Sequence, residues 1–162
     1  MKRSQILLLA VLLLGLPVLG MVRLFAASGD DPTVLVASEE VRRQDVVHLE
    51  PGFFVVWDAS RPRAYPADLP GGVDLFYCRR SELFQSSSDE VYRRDGVAIA
   101  GTATRTLDRY PVDFLGDSIT VDPRILIEGQ PQDQPTAPAP EGLCDPPGPS
   151  DPPGFGSAPE ND

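Results

Sequence analysis

The sequence is poor in the side chains that bind metal ions and act as catalytic bases. It has one histidine, His48, and two cysteines, Cys78 and Cys144, in 162 residues. A metal or cluster site needs several soft or imidazole ligands close together. Nucleophilic catalysis needs a base next to the nucleophile, and the serines of this chain have no neighbouring histidine. We therefore predict no catalytic residues, no metal ligands and no cofactor held by this chain.

A basic patch is also missing. The formal net charge is −10, and apart from Lys2 the basic residues are arginines, several of them in scattered pairs. Nucleic-acid phosphates are bound by clustered lysine and arginine side chains. The charge pattern therefore excludes nucleic acid as a partner.

Long apolar runs are absent except near the N-terminus, where residues 6–22 follow Lys2 and Arg3. The run of about 17 residues is at the lower limit for a membrane-spanning helix. A cleaved signal peptide has the same basic start, and Ala26 and Ala27 could precede a cleavage site. Residues 1–28 are thus predicted to be a membrane anchor or a signal segment.

Either alternative puts the rest of the chain on the extracytoplasmic side, because Lys2 and Arg3 stay in the cytoplasm. The protein is then a single-pass cell-membrane protein, or a secreted one if the segment is cleaved. Residues 29–33 are polar and form a spacer between this segment and the folded part.

Residues 34–128 contain short apolar runs separated by glycine and proline, which predicts an all-β domain, either a sandwich or a small barrel. Residues 53–57 are apolar without interruption, as is typical of a strand covered on both faces. Residues 110–114 and 118–122 form the clearest hairpin. No amphipathic helical period is found outside the N-terminus. His48 is predicted to be a half-exposed strand residue.

Residues 129–162 have a different composition. They hold more than half of the chain's 18 prolines and have Leu143 and Phe155 as their bulky apolar residues. Such a segment buries too little surface to offset its ordering entropy, so we expect a disordered, proline-rich tail. The alternative is a docking strip for a partner at residues 152–155, Pro-Pro-Gly-Phe.

One part of the chain carries a recognisable motif. Residues 78–84 read C-R-R-S-E-L-F, residues 96–112 read G-V-A-I-A-G-T-A-T-R-T-L-D-R-Y-P-V, and residues 118–123 read S-I-T-V-D-P. This order resembles the second half of a Rieske [2Fe–2S] domain, in which a Cys-x-x-His box precedes an aromatic residue, a glycine turn and an L-x-x-Y-P-V strand. The similarity covers roughly residues 41–122 and implies a Rieske-like β domain.

The ligand boxes of that family are missing. Rieske clusters are held by two cysteines and two histidines. Nothing between Tyr65 and Cys78 could form the first box, and Arg79, Arg80 and Ser81 stand where the histidine of the second is expected. The resemblance therefore implies a fold without its cluster, and 2Fe-2S enters by family analogy alone.

With the N-terminal segment, the resemblance implies a membrane-attached, exported protein. Its role would be structural or accessory, near a membrane electron-transfer complex whose subunits would be its partners. One alternative is a genuine 2Fe-2S electron carrier whose ligands are completed by a partner. The other is an unrelated exported binding module with a groove lined by Arg79, Arg80 and aromatic residues.

Export also bears on the two cysteines. An oxidising compartment allows a disulfide between Cys78 and Cys144, which would fix the tail to the folded domain. Two free thiols, or a bond to another subunit, are the alternatives.

Overall fold

The computed structural model describes residues 33–50, 52–135, 137–138, 143–144, 152 and 154–156. These residues form eleven strands and one short helix, which confirms the all-β prediction. The elements are β1 (Val34–Ala37), α1 (Ser38–Gln44), β2 (Val46–Leu49), β3 (Phe53–Asp58), β4 (Arg61–Pro66), β5 (Asp68–Leu69), β6 (Val73–Cys78), β7 (Leu83–Ser86), β8 (Val91–Tyr92), β9 (Ala98–Ala100), β10 (Val112–Leu115) and β11 (Ser118–Val121).

The predicted membrane anchor or signal segment, residues 1–28, lies outside the described residues. Within the described part of the chain, no helix is long and apolar enough to cross a membrane.

The strands form three antiparallel sheets. Their orders are β1-β11-β10, β2-β3-β4 and β5-β6-β7-β8-β9. The predicted hairpin is present as β10–β11, in which Leu115 pairs with Ser118 across a two-residue loop. Gly116 opens that loop with φ 61°, a value that favours glycine. Because β1 pairs with β11, the first and last strands lie side by side.

Strand β3 is covered on both faces, as its uninterrupted apolar run predicted. Phe53 and Val55 belong to the apolar cluster that contains Ile119 of β11. Phe54 and Val56 belong to a second cluster with residues of the five-stranded sheet. Since successive side chains of a strand point to opposite faces, β3 separates the two halves of the core.

Helix α1 was not predicted from the sequence. It has seven residues and a single fully buried apolar side chain, Val41, so it gives no periodic signal. Glu39 in its first turn and Arg43 in its last complement the helix dipole. It ends at Gln44, because the following residue, Asp45, has a φ of 62°, outside the helical range.

The disordered tail expected over residues 129–162 does not hold for the residues of that segment that the structure describes. Gln132 exchanges hydrogen bonds with the main chain of Ala98, and its own N–H donates to the Thr104 carbonyl. Cys144 and Phe155 are both buried. Average composition does not report such specific contacts, which here are hydrogen bonds of Gln132, the disulfide of Cys144 and the burial of Phe155.

Candidate functional site

A covalent bond links the end of β6 to the C-terminal segment, the name used here for the described residues after Glu128. Cys78, the last residue of β6, forms a disulfide with Cys144, and their Cα atoms are 5.6 Å apart. Both residues are buried in a small apolar cluster with Phe76 and the half-buried Leu143. The disulfide therefore holds Cys144 of the C-terminal segment at this end of the five-stranded sheet.

The C-terminal segment also covers the edge of β6 that β5 leaves unpaired. Strand β6 pairs with β7 on one side, whereas β5 covers only its first two residues on the other. Beyond β5, the Tyr77 N–H donates to the Gly154 carbonyl at 2.8 Å, and the Gly156 N–H donates to the Tyr77 carbonyl at 3.1 Å. Phe155 thus forms a parallel bridge with Tyr77. Residues 154–156 act as an added strand, a common mode of peptide recognition.

Phe155 anchors this added strand. Its ring contacts Phe54 and Tyr77 edge to face, at centroid distances of 6.4 and 6.2 Å. The Arg79 guanidinium carbon lies 4.1 Å from the centroid of the Phe155 ring, a cation–π geometry. Phe155 itself is 7% exposed. Phe155 therefore adds a buried aromatic contact to the main-chain hydrogen bonds that hold residues 154–156.

The approach of the segment requires glycine at position 154. Gly154 has φ 79°, and a Cβ built there would lie 2.5 Å from Cδ2 of His48 and 2.9 Å from Cε1 of Phe54. His48 itself is half-buried, as predicted, and packs edge to face on Phe54 at 5.0 Å. Burial in this contact lowers the pKa of His48, against the charges of Glu50 and Asp68, which favour protonation.

A cleft of about 440 Å³ adjoins Phe155. Its lining residues are Gln44, Asp45, Tyr77, Arg79, Glu82 and Phe155. Arg79 thus lies beside the aromatic side chains of Tyr77 and Phe155, whereas Arg80 lies outside the lining, and both arginines are exposed. Burial raises the pKa of the Tyr77 hydroxyl.

Arg94 contributes charge beside this cleft. Its Nη1 atom is buried and makes no hydrogen bond, and it lies 3.6 Å from Oδ2 of Asp45. Asp45, Glu82 and Arg79 give the cleft both signs of charge, without a nucleophile–base pair. The arrangement suits binding of a polar or extended group.

A second cleft, of about 370 Å³, lies between β4 and β10. Arg61, Arg63 and Arg109 line it together with Tyr110 and Phe114. Arg63 donates to Asp58 at 2.9 Å, which neutralises one of the three cations.

No set of metal ligands is found in the described part of the chain, where no three histidine, cysteine or acidic side chains cluster suitably. Both cysteines are in the disulfide, so neither offers a thiolate. Sequence reasoning named Cys78, Cys144 and Arg79 but missed Gly154 and Phe155 as packed residues. The available signal was local, because Phe155 is the tail's one aromatic residue and stands between two glycines.

No protein-family model, no curated protein and no solved structure matches this chain significantly. The function must therefore be inferred from the residues themselves.

Proposed function

We propose that this protein is a membrane-attached, exported domain with a Rieske-like fold and no iron–sulfur cluster of its own. Its role is a structural or accessory one near a membrane electron-transfer complex, through a docking surface. The observation that carries the proposal is the state of Cys78. This residue stands in the region of the family's second ligand box, and it is bonded to Cys144.

The residues of the recognised motif are placed in ways that support the fold assignment. Gly96 and Gly101 both have positive φ, 85° and 91°, as turn glycines require. A Cβ at Gly101 would lie 2.9 Å from the Asp89 carbonyl oxygen. Tyr110 donates its N–H to Ala64 and so links β4 to the chain that enters β10. These are structural roles, and they support a shared fold rather than shared redox chemistry.

The hairpin turn that follows Cys78 supports the loss of the cluster. In the family, the two ligand boxes tip a lobe that projects from the β-sandwich base. Here residues 79–82 connect β6 directly to β7. Ser81 donates its hydroxyl to the Cys78 carbonyl at 3.3 Å, and Glu82 takes φ 57° to complete the turn. The turn provides no imidazole.

The test is the iron content of the full chain, purified anaerobically in detergent, together with its visible and EPR spectra. We expect no iron and no cluster signal. Stoichiometric iron with a cluster signal would overturn the proposal and indicate a genuine 2Fe-2S electron carrier. Copurification with membrane subunits, followed by identification of the partners, tests the accessory role separately.

A second function, an exported binding module unrelated to the Rieske family, is favoured by the cleft beside Arg79 and Phe155. The two functions differ in their partners. A small ligand that raises the melting temperature, with no membrane subunit copurifying, would favour the binding module.

A further inference from the structure

We infer that the free edge of β6 is a binding site for an extended polypeptide segment with a glycine before an aromatic residue. The chain's own residues 154–156 occupy this site, and a partner segment of the same type would compete with them. This deepens the proposed function, because it assigns the docking surface of the accessory domain and the class of segment it takes.

The main chain of β6 provides the general affinity. Tyr77 offers both its N–H and its carbonyl to the added segment, while the Leu75 N–H is already bonded to the Ala67 carbonyl. Strand addition gains affinity from such main-chain hydrogen bonds and specificity from the side-chain pockets beside them. The site is therefore short, and its selectivity depends on the pocket next to Tyr77.

The outer edge of β4 is not equivalent. The Tyr110 N–H donates to the Ala64 carbonyl, so the main-chain groups of Ala64 face away from β3. Main-chain groups two residues apart in a strand face the same side, which puts Pro62 and Pro66 on that outer edge. Proline has no N–H to donate, and edge prolines block strand addition. The β6 edge, where Tyr77 retains its donor, is thus the better site for an incoming strand.

The pocket explains why the segment must carry glycine and an aromatic ring. The edges of Phe54 and Tyr77 meet the ring of Phe155, and Arg79 lies over it. An aliphatic side chain would lose both the aromatic and the cation–π contacts. Residue 154 must be glycine because His48 and Phe54 leave no space for a Cβ there.

The disulfide holds the chain's own segment only modestly in place. From Cys144 to Gly154 the linker spans ten residues (154 − 144), and from Ala137, whose carbonyl accepts the Gly101 N–H, it spans 17 (154 − 137). Effective concentration falls roughly as the −3/2 power of linker length, so reduction lowers it by only about twofold. Phe155, rather than the disulfide, is the residue to remove in order to open the site.

The test uses the full-length Phe155→Ala variant and a fluorescein-labelled peptide with the sequence of residues 151–157, D-P-P-G-F-G-S. Fluorescence anisotropy should show saturable binding to this variant, and at least tenfold weaker binding to the oxidised wild-type protein. Two control peptides carry alanine at the phenylalanine or at the glycine before it. Each should bind the variant at least tenfold more weakly than the parent peptide.

Hydrogen exchange at the Tyr77 amide gives the independent readout. The amide should be protected in the wild type, exchange at least tenfold faster in Phe155→Ala, and regain protection when the parent peptide is added. The variant's near-ultraviolet circular dichroism verifies that the domain is folded.

Absence of peptide binding to a folded variant, or equal binding of the phenylalanine and alanine peptides, would overturn the inference. So would a Tyr77 amide that stays protected in Phe155→Ala, because the segment would then dock without its anchor. These outcomes do not bear on the iron measurement. The inference about the β6 edge can therefore be wrong while the cluster-free assignment is right, and the reverse also holds.

Discussion

The main chain of Gly154 lies against the imidazole ring of His48 so closely that a Cβ at position 154 would be 2.5 Å from Cδ2. This contact joins the C-terminal segment to β2, an edge strand of the β2-β3-β4 sheet. It makes one glycine, far along the sequence, a condition for covering the core around Phe54.

Replacement of Gly154 by alanine should release the C-terminal segment. The positive φ costs alanine about 1–2 kcal/mol, and the clash with His48 adds to that cost until undocking becomes cheaper. We expect the Tyr77 amide to exchange at least tenfold faster, measured by hydrogen–deuterium exchange. Gly71→Ala is the matched control, because Gly71 also has positive φ but no atom within 4 Å of its Cβ position. It should lower stability without exposing Tyr77; equal exchange in both variants would contradict the docking.

Stability should fall as the pH drops through the ordinary histidine pKa of 6.5. Burial lowers the pKa of His48, so below 6.5 the unfolded chain binds more protons than the folded one, and stability rises with pH in this window. Urea unfolding at pH 5.5 and 7.5 measures the effect. His48 is the only histidine in the sequence, so His48→Gln should remove this dependence. An unchanged pH profile in that variant would assign the effect to other groups.

The disulfide should contribute substantially to stability. For a sequence separation of 66 residues, chain entropy predicts a loss of about 4 kcal/mol when the bond is removed. Urea unfolding of the Cys78→Ala/Cys144→Ala variant tests this. Before that, mass spectrometry after alkylation under denaturing conditions should show no adduct without reductant and two adducts with it. Alkylation of the unreduced chain, or a covalent dimer on a non-reducing gel, would contradict the intrachain bond.

Arg42 should affect the single tryptophan. Its guanidinium carbon lies 4.3 Å from the centroid of the Trp57 ring and 5.6 Å from that of Phe114. Arg42→Ala should destabilise the protein by about 0.5–1 kcal/mol and shift the Trp57 emission. The neighbouring Arg43, whose side chain is 69% exposed, is the control. Arg43→Ala should leave the emission unchanged and alter stability by less than about 0.5 kcal/mol; matching shifts in both variants would rule out a specific contact.

The sequence predicted the features that depend on local pattern. The uninterrupted apolar run identified β3 as a strand buried on both faces, and the glycine-containing turn identified the β10–β11 hairpin. Both signals arise within a few residues, because side-chain alternation and turn chemistry are local properties.

Features that depend on distant contacts were not predictable in this way. Helix α1 is too short for a periodic pattern and is packed through the buried Val41. The docked position of Phe155 requires Phe54, Tyr77 and Arg79, which come from two distant strands and a turn. Composition correctly described residues 129–162 as poor in apolar side chains. It could not predict that the ring of Phe155 is buried, because that depends on a pocket formed by distant residues.

The pairing of β1 with β11 has a consequence for the nascent chain. Val36, Val41, Phe53 and Val55 share their apolar cluster with Ile119 and Val121, which are synthesised last among them. A chain that stops before residue 121 leaves the Phe53 and Val55 face of β3 uncovered, and this apolar face is then exposed to chaperones and proteases. We therefore expect no stable folding intermediate that lacks β11. Prematurely terminated chains should be degraded by cellular quality control rather than fold into a smaller domain.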